Sequence, residues 1–235
     1  MSLDKRPARV AGMFDAIAAR YDFLNHLLSA GFDRGWRRRA IRSLRLRGGE
    51  RVVDVCTGTG DVALEAAHTG AGQVLGVDFA GEMLRLGVVK ARDRKAGAGR
   101  VWLVRGDATR LPAASGSADA TTAAFGIRNV EDPIRALAEM FRVLKPGGRL
   151  AILEFSIPRS RLVRALYLPY FRHVLPRIGR LVSGHGSAYT YLPVSVGAFI
   201  PPDVMCRLLG ACGFNEVRAT PLTFGVVTLY TAARP

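Results

Sequence analysis

Asp54-Val55-Cys56-Thr57-Gly58-Thr59-Gly60-Asp61 stands where an apolar run, Arg51 to Cys56, gives way to a helical stretch, Asp61 to His68. Glycine at such a junction lets the backbone turn sharply and lets a ligand approach without a Cβ in the way. Strand, glycine turn and helix together read as the opening unit of an open α/β sheet. The alternation continues downstream. Gln73 to Phe79 reads as a second strand, Gly81 to Arg94 as a helix, and Val101 to Arg105 and Ala118 to Phe125 as further strands. A helix from Pro133 to Leu144 is expected to stop at Pro146-Gly147-Gly148, before a fifth strand from Arg149 to Phe155. A helix from Pro202 to Ala211 stops at Gly213, and the runs Glu216 to Ala219 and Val226 to Ala232 are close enough to pair as an antiparallel hairpin. The pattern predicts a parallel sheet covered on both faces and ending in that hairpin.

Two segments stand outside the alternation. Residues 8 to 47 are helical and precede the first strand, and residues 157 to 200 form a long insertion rich in arginine and aromatics. Both flank the carboxyl ends of the strands, where open α/β sheets bind ligands. The expectation is a single domain over 1–235, with an N-terminal helical cap and an inserted lid.

Composition sets bounds on class. With 235 residues and 49% of them hydrophobic, the chain can bury a full core. No apolar run is long enough to span a bilayer, and Met1 to Arg6 lacks the apolar core of a secretory signal. Cys56, Cys206 and Cys212 are odd in number and scattered, which fits reduced thiols in the cytoplasm. The four histidines form no ligand cluster, so no metal is expected. The formal net charge is +15, and all but four of the 34 basic residues are arginine. Such a charge suits an anionic partner, or a solvated surface with a bias toward arginine.

Three acidic positions complete the candidate site. Asp54 lies just ahead of the glycines, Asp78 at the end of the second strand, and Asp107 in Gly106-Asp107-Ala108 after the third. Asp78 can accept hydrogen bonds from both hydroxyls of a ribose. Asp107 and the Ala108 amide can meet the edge of an adenine. Gly58-x-Gly60-x-x-Ala63, with Asp78 beyond it, also satisfies a relaxed dinucleotide fingerprint, so an NAD-linked oxidoreductase competes. Asp54 would repel a pyrophosphate but could support the ammonium of a methionine moiety. Together with Gly106-Asp107-Ala108 and Arg142-Val143-Leu144-Lys145-Pro146-Gly147-Gly148, a run common in methyltransferases, it favours S-adenosyl-L-methionine as cofactor. The bland reading of Asp54 and Asp78 is strand-end capping.

Over nearly its whole length the chain resembles the menaquinone and ubiquinone biosynthesis C-methyltransferases. The resemblance rests on Arg20-Tyr21-Asp22-Phe23-Leu24-Asn25, Asp33-Arg34-Gly35-Trp36-Arg37, Leu153-Glu154-Phe155-Ser156 and Ala188-Tyr189-Thr190-Tyr191-Leu192. Phe125-Gly126-Ile127-Arg128-Asn129-Val130 is its most diagnostic part. It implies a class I, Rossmann-like fold dependent on S-adenosylmethionine. It also implies C-methylation of a prenylated quinol; the arginine-rich composition, as in bacteria of high GC content that often respire with menaquinone, leans the acceptor to demethylmenaquinol, with a methoxy-polyprenyl-benzoquinol as the alternative. By resemblance, Thr59, Asp78, Asp107 and Ala108 contact the cofactor, and Gly58 and Gly60 offer it bare backbone. The family often has serine before Phe125; here Ala124 leaves only backbone at that contact. Cys56 replaces the first glycine of the common motif and reads as a small buried residue rather than a nucleophile.

Carbon methylation needs an electron-rich ring carbon aligned with the methyl donor, hence a stabilised phenolate. Arg128, which stays protonated, is the candidate for that role or for organising a water, with Asn129 on a ring oxygen or the cofactor and Tyr21 on the substrate hydroxyl or over the sulfonium. The blander readings are a surface arginine, a helix cap and a core aromatic. Glu154 could pair with an arginine, and Tyr189 and Tyr191 could line the entrance. In the insertion, Leu162, Leu166, Tyr170, Val174 and Ile178 can share a helical stripe, interrupted by Pro169 and Pro176 and interleaved with Arg161, Arg164, Arg172, Arg177 and Arg180. A basic amphipathic segment suits peripheral contact with the inner face of the cell membrane, against the alternative of a lid packed on the core. A nucleic-acid methyltransferase would also explain the charge, but no recognition module for nucleic acid is seen. The pattern carries no signature of an oligomeric state.

Overall fold

The structure is a computed structural model that describes residues 5–93, 99–174, 177 and 186–235; the side chains of residues 172, 174 and 186–190 fall outside that description. Seven strands form one sheet in the order β3-β2-β1-β4-β5-β7-β6. They are β1 (Arg51–Val55), β2 (Gln73–Asp78), β3 (Val101–Arg105), β4 (Ala118–Ala124), β5 (Leu144–Phe155), β6 (Asn215–Leu222) and β7 (Val227–Ala233). The first five run parallel, and β7 pairs antiparallel with both β5 and β6. Val52, Val53 and Val55 of β1 are buried, the near-continuous apolar pattern of a strand covered on both faces. The sheet turns from β2 on one side of β1 to β4 on the other, so the crevice where ligands bind opens at the carboxyl ends of β1 and β4.

Helices α1 (Pro7–Leu28) and α2 (Phe32–Ser43) precede the sheet, and α3 (Asp61–Thr69), α4 (Gly81–Asp93) and α5 (Pro133–Val143) connect its strands. The segment after β5 holds α6 (Arg161–Pro169), a π turn (Tyr170–Val174) and α7 (Gly186–Gly197), before α8 (Pro202–Ala211) packs Met205 and Leu209 into the core.

Two expectations shift. The helix before β5 ends at Val143, and the strand begins at Leu144 instead of after the Pro-Gly-Gly run. Gly147 N donates to Arg234 O and Arg234 N to Gly148 O, so that run is a bulge stitched to the chain end. Leu144 already pairs with Ala118, with a register shift before Ala120. The amphipathic stripe of the insertion, expected to be interrupted at Pro169, leaves the α-helix there altogether. Pro169 has no N–H to offer, the helix widens into the π turn, and the hydroxyl of Tyr170 donates inward to Leu28 O at 2.9 Å. Leu162 and Leu166 stay on the outside. Ile178 and Arg180, and the side chains of Arg172, Val174 and Tyr189, lie outside the described residues.

Candidate functional site

Three connected recesses open at the carboxyl ends of the strands. The first, about 620 Å³, is bounded by Gly58, Asp78, Ala108, Ala124 and Asn129 below and by Val10 and Phe14 of α1 above. Asp78 sits half-buried on its wall. Its Oδ2 accepts from Gly58 N at 2.7 Å and its Oδ1 from Ala80 N at 2.9 Å, so the carboxylate braces the glycine turn. Each oxygen keeps lone pairs beyond these bonds. Burial raises its pKa, with the backbone donors opposing. Gly58 has φ +56, and a Cβ added there would meet nothing within 4 Å, so open space faces the bare backbone. Asp107 is less direct. Gly106 and Ala108 stand on the wall, while Asp107 Oδ1 accepts from Thr109 N at 2.7 Å.

Cys56 adopts φ +55, a conformation costly for a residue with a Cβ. Gly126 explains the fit: a Cβ there would lie 2.2 Å from that of Cys56. Burial, with Asp78 and Asp54 nearby, pushes the Cys56 thiol well above its ordinary pKa, which suits an inert thiol.

The second recess, about 360 Å³, holds Asp54, Thr59, Asp61, Arg37 and Tyr21. Asp54 is 1% exposed and receives the hydroxyls of Thr57 and Thr122, each at 2.6 Å. Burial carries its pKa up to about 6 despite those bonds. Thr59 donates to Asp22 Oδ1 of α1 at 2.7 Å. Lys90 Nζ reaches Asp22 Oδ2 at 2.5 Å, Asp61 Oδ1 at 2.7 Å and Thr59 Oγ1 at 2.9 Å, which clasps α1 to the glycine turn. Arg37 bridges Asp33 at 2.6 Å and Asp61 at 3.1 Å. Gly60 is buried and starts α3 at φ +79.

The third is a chamber of about 1120 Å³ counted to its mouth, walled mainly by aromatics, among them Tyr21, Trp36, Phe125, Phe155 and Phe171. Arg128 lines it and is 4% exposed, which overturns the surface-arginine reading. Its Nη1 donates to Phe125 O and to Glu154 Oε1, the latter at 2.9 Å, and its guanidinium lies 5.5 Å from the centre of the Phe155 ring. Glu154, fully buried, is pushed up by desolvation to about 7, with Arg128 opposing. Asn129 caps no helix. It lies in a short 3-10 turn with Nδ2 3.5 Å from Phe125 O. Among the described residues, Asn129 Oδ1, Arg128 Nε and the hydroxyls of Tyr167 and Tyr191 are buried without a hydrogen-bond partner. Tyr21 borders all three recesses, which makes it a wall shared by the first two and the chamber.

The sequence reading missed Asp22, Lys90, Arg37 and Tyr167. Asp33 and Arg37 could have been found by their spacing of four on one helical face. Lys90 gives no local signal, since its partners come from α1 and α3.

The frame of the fold and site defines the class: an S-adenosylmethionine-dependent methyltransferase with a class I, Rossmann-like sheet. Solved structures share that fold across the whole chain. The [4+2]-cyclase SpnF superimposes with TM-score 0.73 at 20% identity, over 97% of each chain. A methyltransferase of Thermotoga maritima does so with TM-score 0.65 at 19% identity, over 96% of this chain and all of the other. The model of the ubiE/COQ5 methyltransferase family matches residues 2–234, and the chain belongs to that family. It is 47% identical over 235 residues, 99% of each chain, to the ubiquinone/menaquinone biosynthesis C-methyltransferase of Geobacter sp. (strain M21). It is 49% identical over 222 residues, 94% of this chain and 90% of the other, to the demethylmenaquinone methyltransferase of Deinococcus radiodurans. The competition with a nicotinamide cofactor is thereby decided in favour of S-adenosylmethionine.

Proposed function

We propose that the chain methylates a ring carbon of a prenylated quinol, with demethylmenaquinol as its preferred acceptor. One observation carries this reading: an aromatic chamber beside the cofactor cavity, lined by a buried arginine and two tyrosines whose polar atoms lack partners. A flat ring with oxygens at two edges would satisfy those atoms while its faces pack on aromatics. Relatives named demethylmenaquinone methyltransferase in Deinococcus radiodurans and Bacteroides fragilis support the naphthoquinol over the benzoquinol.

The residues fit the cofactor. Asp78 would hold the ribose diol, and Asp107 with the Ala108 amide the adenine. Gly58, Gly60 and Ala124 would offer backbone, and Asp54 and Thr59 would face the methionine end, where Arg37 adds a positive charge. When bound, S-adenosylmethionine supplies an electrophilic methyl group. The chain's own part is to bind the ring, exclude water and hold charge. Arg128 stabilises the oxygen that loses its proton, because a guanidinium keeps its charge at any physiological pH. Glu154 fixes that guanidinium from behind. Asn129, on the wall of the first recess, accepts through its unpartnered Oδ1 from a ring hydroxyl or from the cofactor, and Tyr21 closes the wall. Such positioning is worth roughly 7–11 kcal/mol of a barrier. Residues 8–47 act as cap and the described parts of 157–200 as lid of one unit.

We further propose that the enzyme works against an anionic bilayer, where its acceptor dissolves. Helix α6 turns Tyr167 toward the chamber, while Leu162 and Leu166 are 74% and 72% exposed one turn apart and Arg159, Arg161 and Arg164 are exposed beside them. No single helix among the described residues is long and apolar enough to cross a membrane.

Incubation with labelled cofactor and each reduced acceptor tests the reaction. Label in the naphthoquinol ring carbon is the expected result; label in neither quinol would refute it.

A further inference from the structure

The chamber accounts for a quinol ring but not for the chain attached to it. Among the described residues lining the chamber, Phe32 alone is exposed, at 57%, so the mouth lies at the start of α2. A surface groove begins at that point. It runs between α2 and the turn joining β6 to β7, and it shares Phe32, Trp36 and Thr223 with the chamber. Trp36 Nε1 donates to Thr223 Oγ1 at 2.8 Å, forming a sill between the two spaces.

Aromatic faces run outward along this path. Phe125 and Phe155 lie 4.6 Å apart, Trp36 stands 6.1 Å from Phe125, and Phe32 stacks on Trp36 at 6.3 Å and 18°. Beyond Phe32 the floor is flat, because Gly31 and Gly35 present no side chain and an added Cβ on either would meet nothing within 4 Å. Leu222 flanks the groove. In a chain of formal charge +15, Arg39 is the only charged one among the described residues lining it, which disfavours a phosphate or nucleic-acid occupant.

We propose that this groove is the binding subsite for the isoprenoid tail of the acceptor. The tail crosses the sill over Trp36 and lies along Gly31 and Gly35. The inference rests on the quinol reading above and adds to it where the tail is held. Flat, branched isoprene units pack on aromatic faces, and each methylene removed from water contributes about 0.8 kcal/mol.

Two measurements test it. With Trp102→Phe, Trp36 becomes the sole tryptophan, and titration with farnesol should give a saturable change in its fluorescence. Adding Gly35→Leu, whose side chain fills the groove from an exposed helical position, should weaken that binding about tenfold, the worth of roughly two buried methylenes. Gly35→Ala should fall between. In turnover, Gly35→Leu should lower kcat/KM about tenfold for a long-chain quinol while sparing a quinol with one isoprene unit. Unaltered farnesol binding in Gly35→Leu, tighter binding of an unbranched alcohol of equal length, or equal loss for both quinols would overturn the proposal. Farnesol binding that responds to Gly35→Leu in an enzyme that methylates no quinol would instead sink the quinol reading and leave the subsite standing.

Discussion

Arg128 Nη1 lies 2.9 Å from Oε1 and 3.3 Å from Oε2 of Glu154, and the carboxylate is fully buried behind the chamber wall. A buried pair of this kind adds little net stability, yet removing one partner strands the other. Its value here is geometric: the guanidinium is locked before a ring arrives.

Glu154→Gln should therefore alter both pH dependences. Burial raises the carboxyl from 4.5 to about 7, so the folded chain binds more protons than the unfolded one between those values. The free energy of unfolding falls as pH rises through that window, and the amide removes that part of the slope. Asp54, raised to about 6, leaves a residual slope at lower pH. Urea melts at pH ~5 and ~8 for both proteins measure this. In turnover, kcat of the parent should rise through about pH 7 as Glu154 ionises. The variant should lose that limb and run about tenfold slower with cofactor affinity intact. An unchanged acid limb would remove Glu154 from the mechanism.

Asp78→Ala deletes the brace on Gly58 N and Ala80 N as well as the proposed acceptor for a ribose diol. Hydrogen bonds to a charged group contribute about 1.5–3 kcal/mol each, so cofactor affinity should drop at least about a hundredfold by calorimetry. Parental affinity would refute the assignment. Arg128→Ala is the counterpart. It should cut kcat while leaving cofactor affinity within a few-fold, and the opposite outcome would move Arg128 to the cofactor site.

Lys90→Met tests the clasp. Its ammonium joins Asp22, Thr59 and Asp61, tying α1 to the turn and to α3. Losing it should destabilise the fold by about 1–3 kcal/mol and speed cofactor dissociation in stopped-flow measurements. Unaltered dissociation would show that α1 does not gate that cavity.

Membrane contact should fail first at α6. Arg161→Glu with Arg164→Glu should reduce co-sedimentation with vesicles rich in anionic lipid, since each basic residue near such a surface contributes about 1 kcal/mol. Salt should weaken binding of the parent in the same way. Equal sedimentation of both proteins would leave α6 as a lid alone.

The sheet was readable because its information is local. Valines at 52, 53 and 55 and the glycines after them announce strand and turn within ten residues. That Asp78 would stand at the crevice was legible for the same reason, as an acid at a strand end. The contacts that build the chamber are not local. Trp36 meets Thr223 across 187 residues of chain, and Tyr170 reaches Leu28 across 142. The proline interruption of the stripe through Leu162 and Tyr170 was legible, but the inward turn of Tyr170 onto Leu28 was not, because its partner lies in α1. The Pro-Gly-Gly run reads as a loop until Arg234 is seen bonding to it.

Helix α1 roofs the cofactor cavity with Val10 and Phe14 and the chamber with Ile17 and Asn25, and Tyr21 borders both. One helix over two rooms couples their visitors. If exchange of spent cofactor lifts α1, the acceptor is expected to enter last and leave first, because its ring would rest against the same helix.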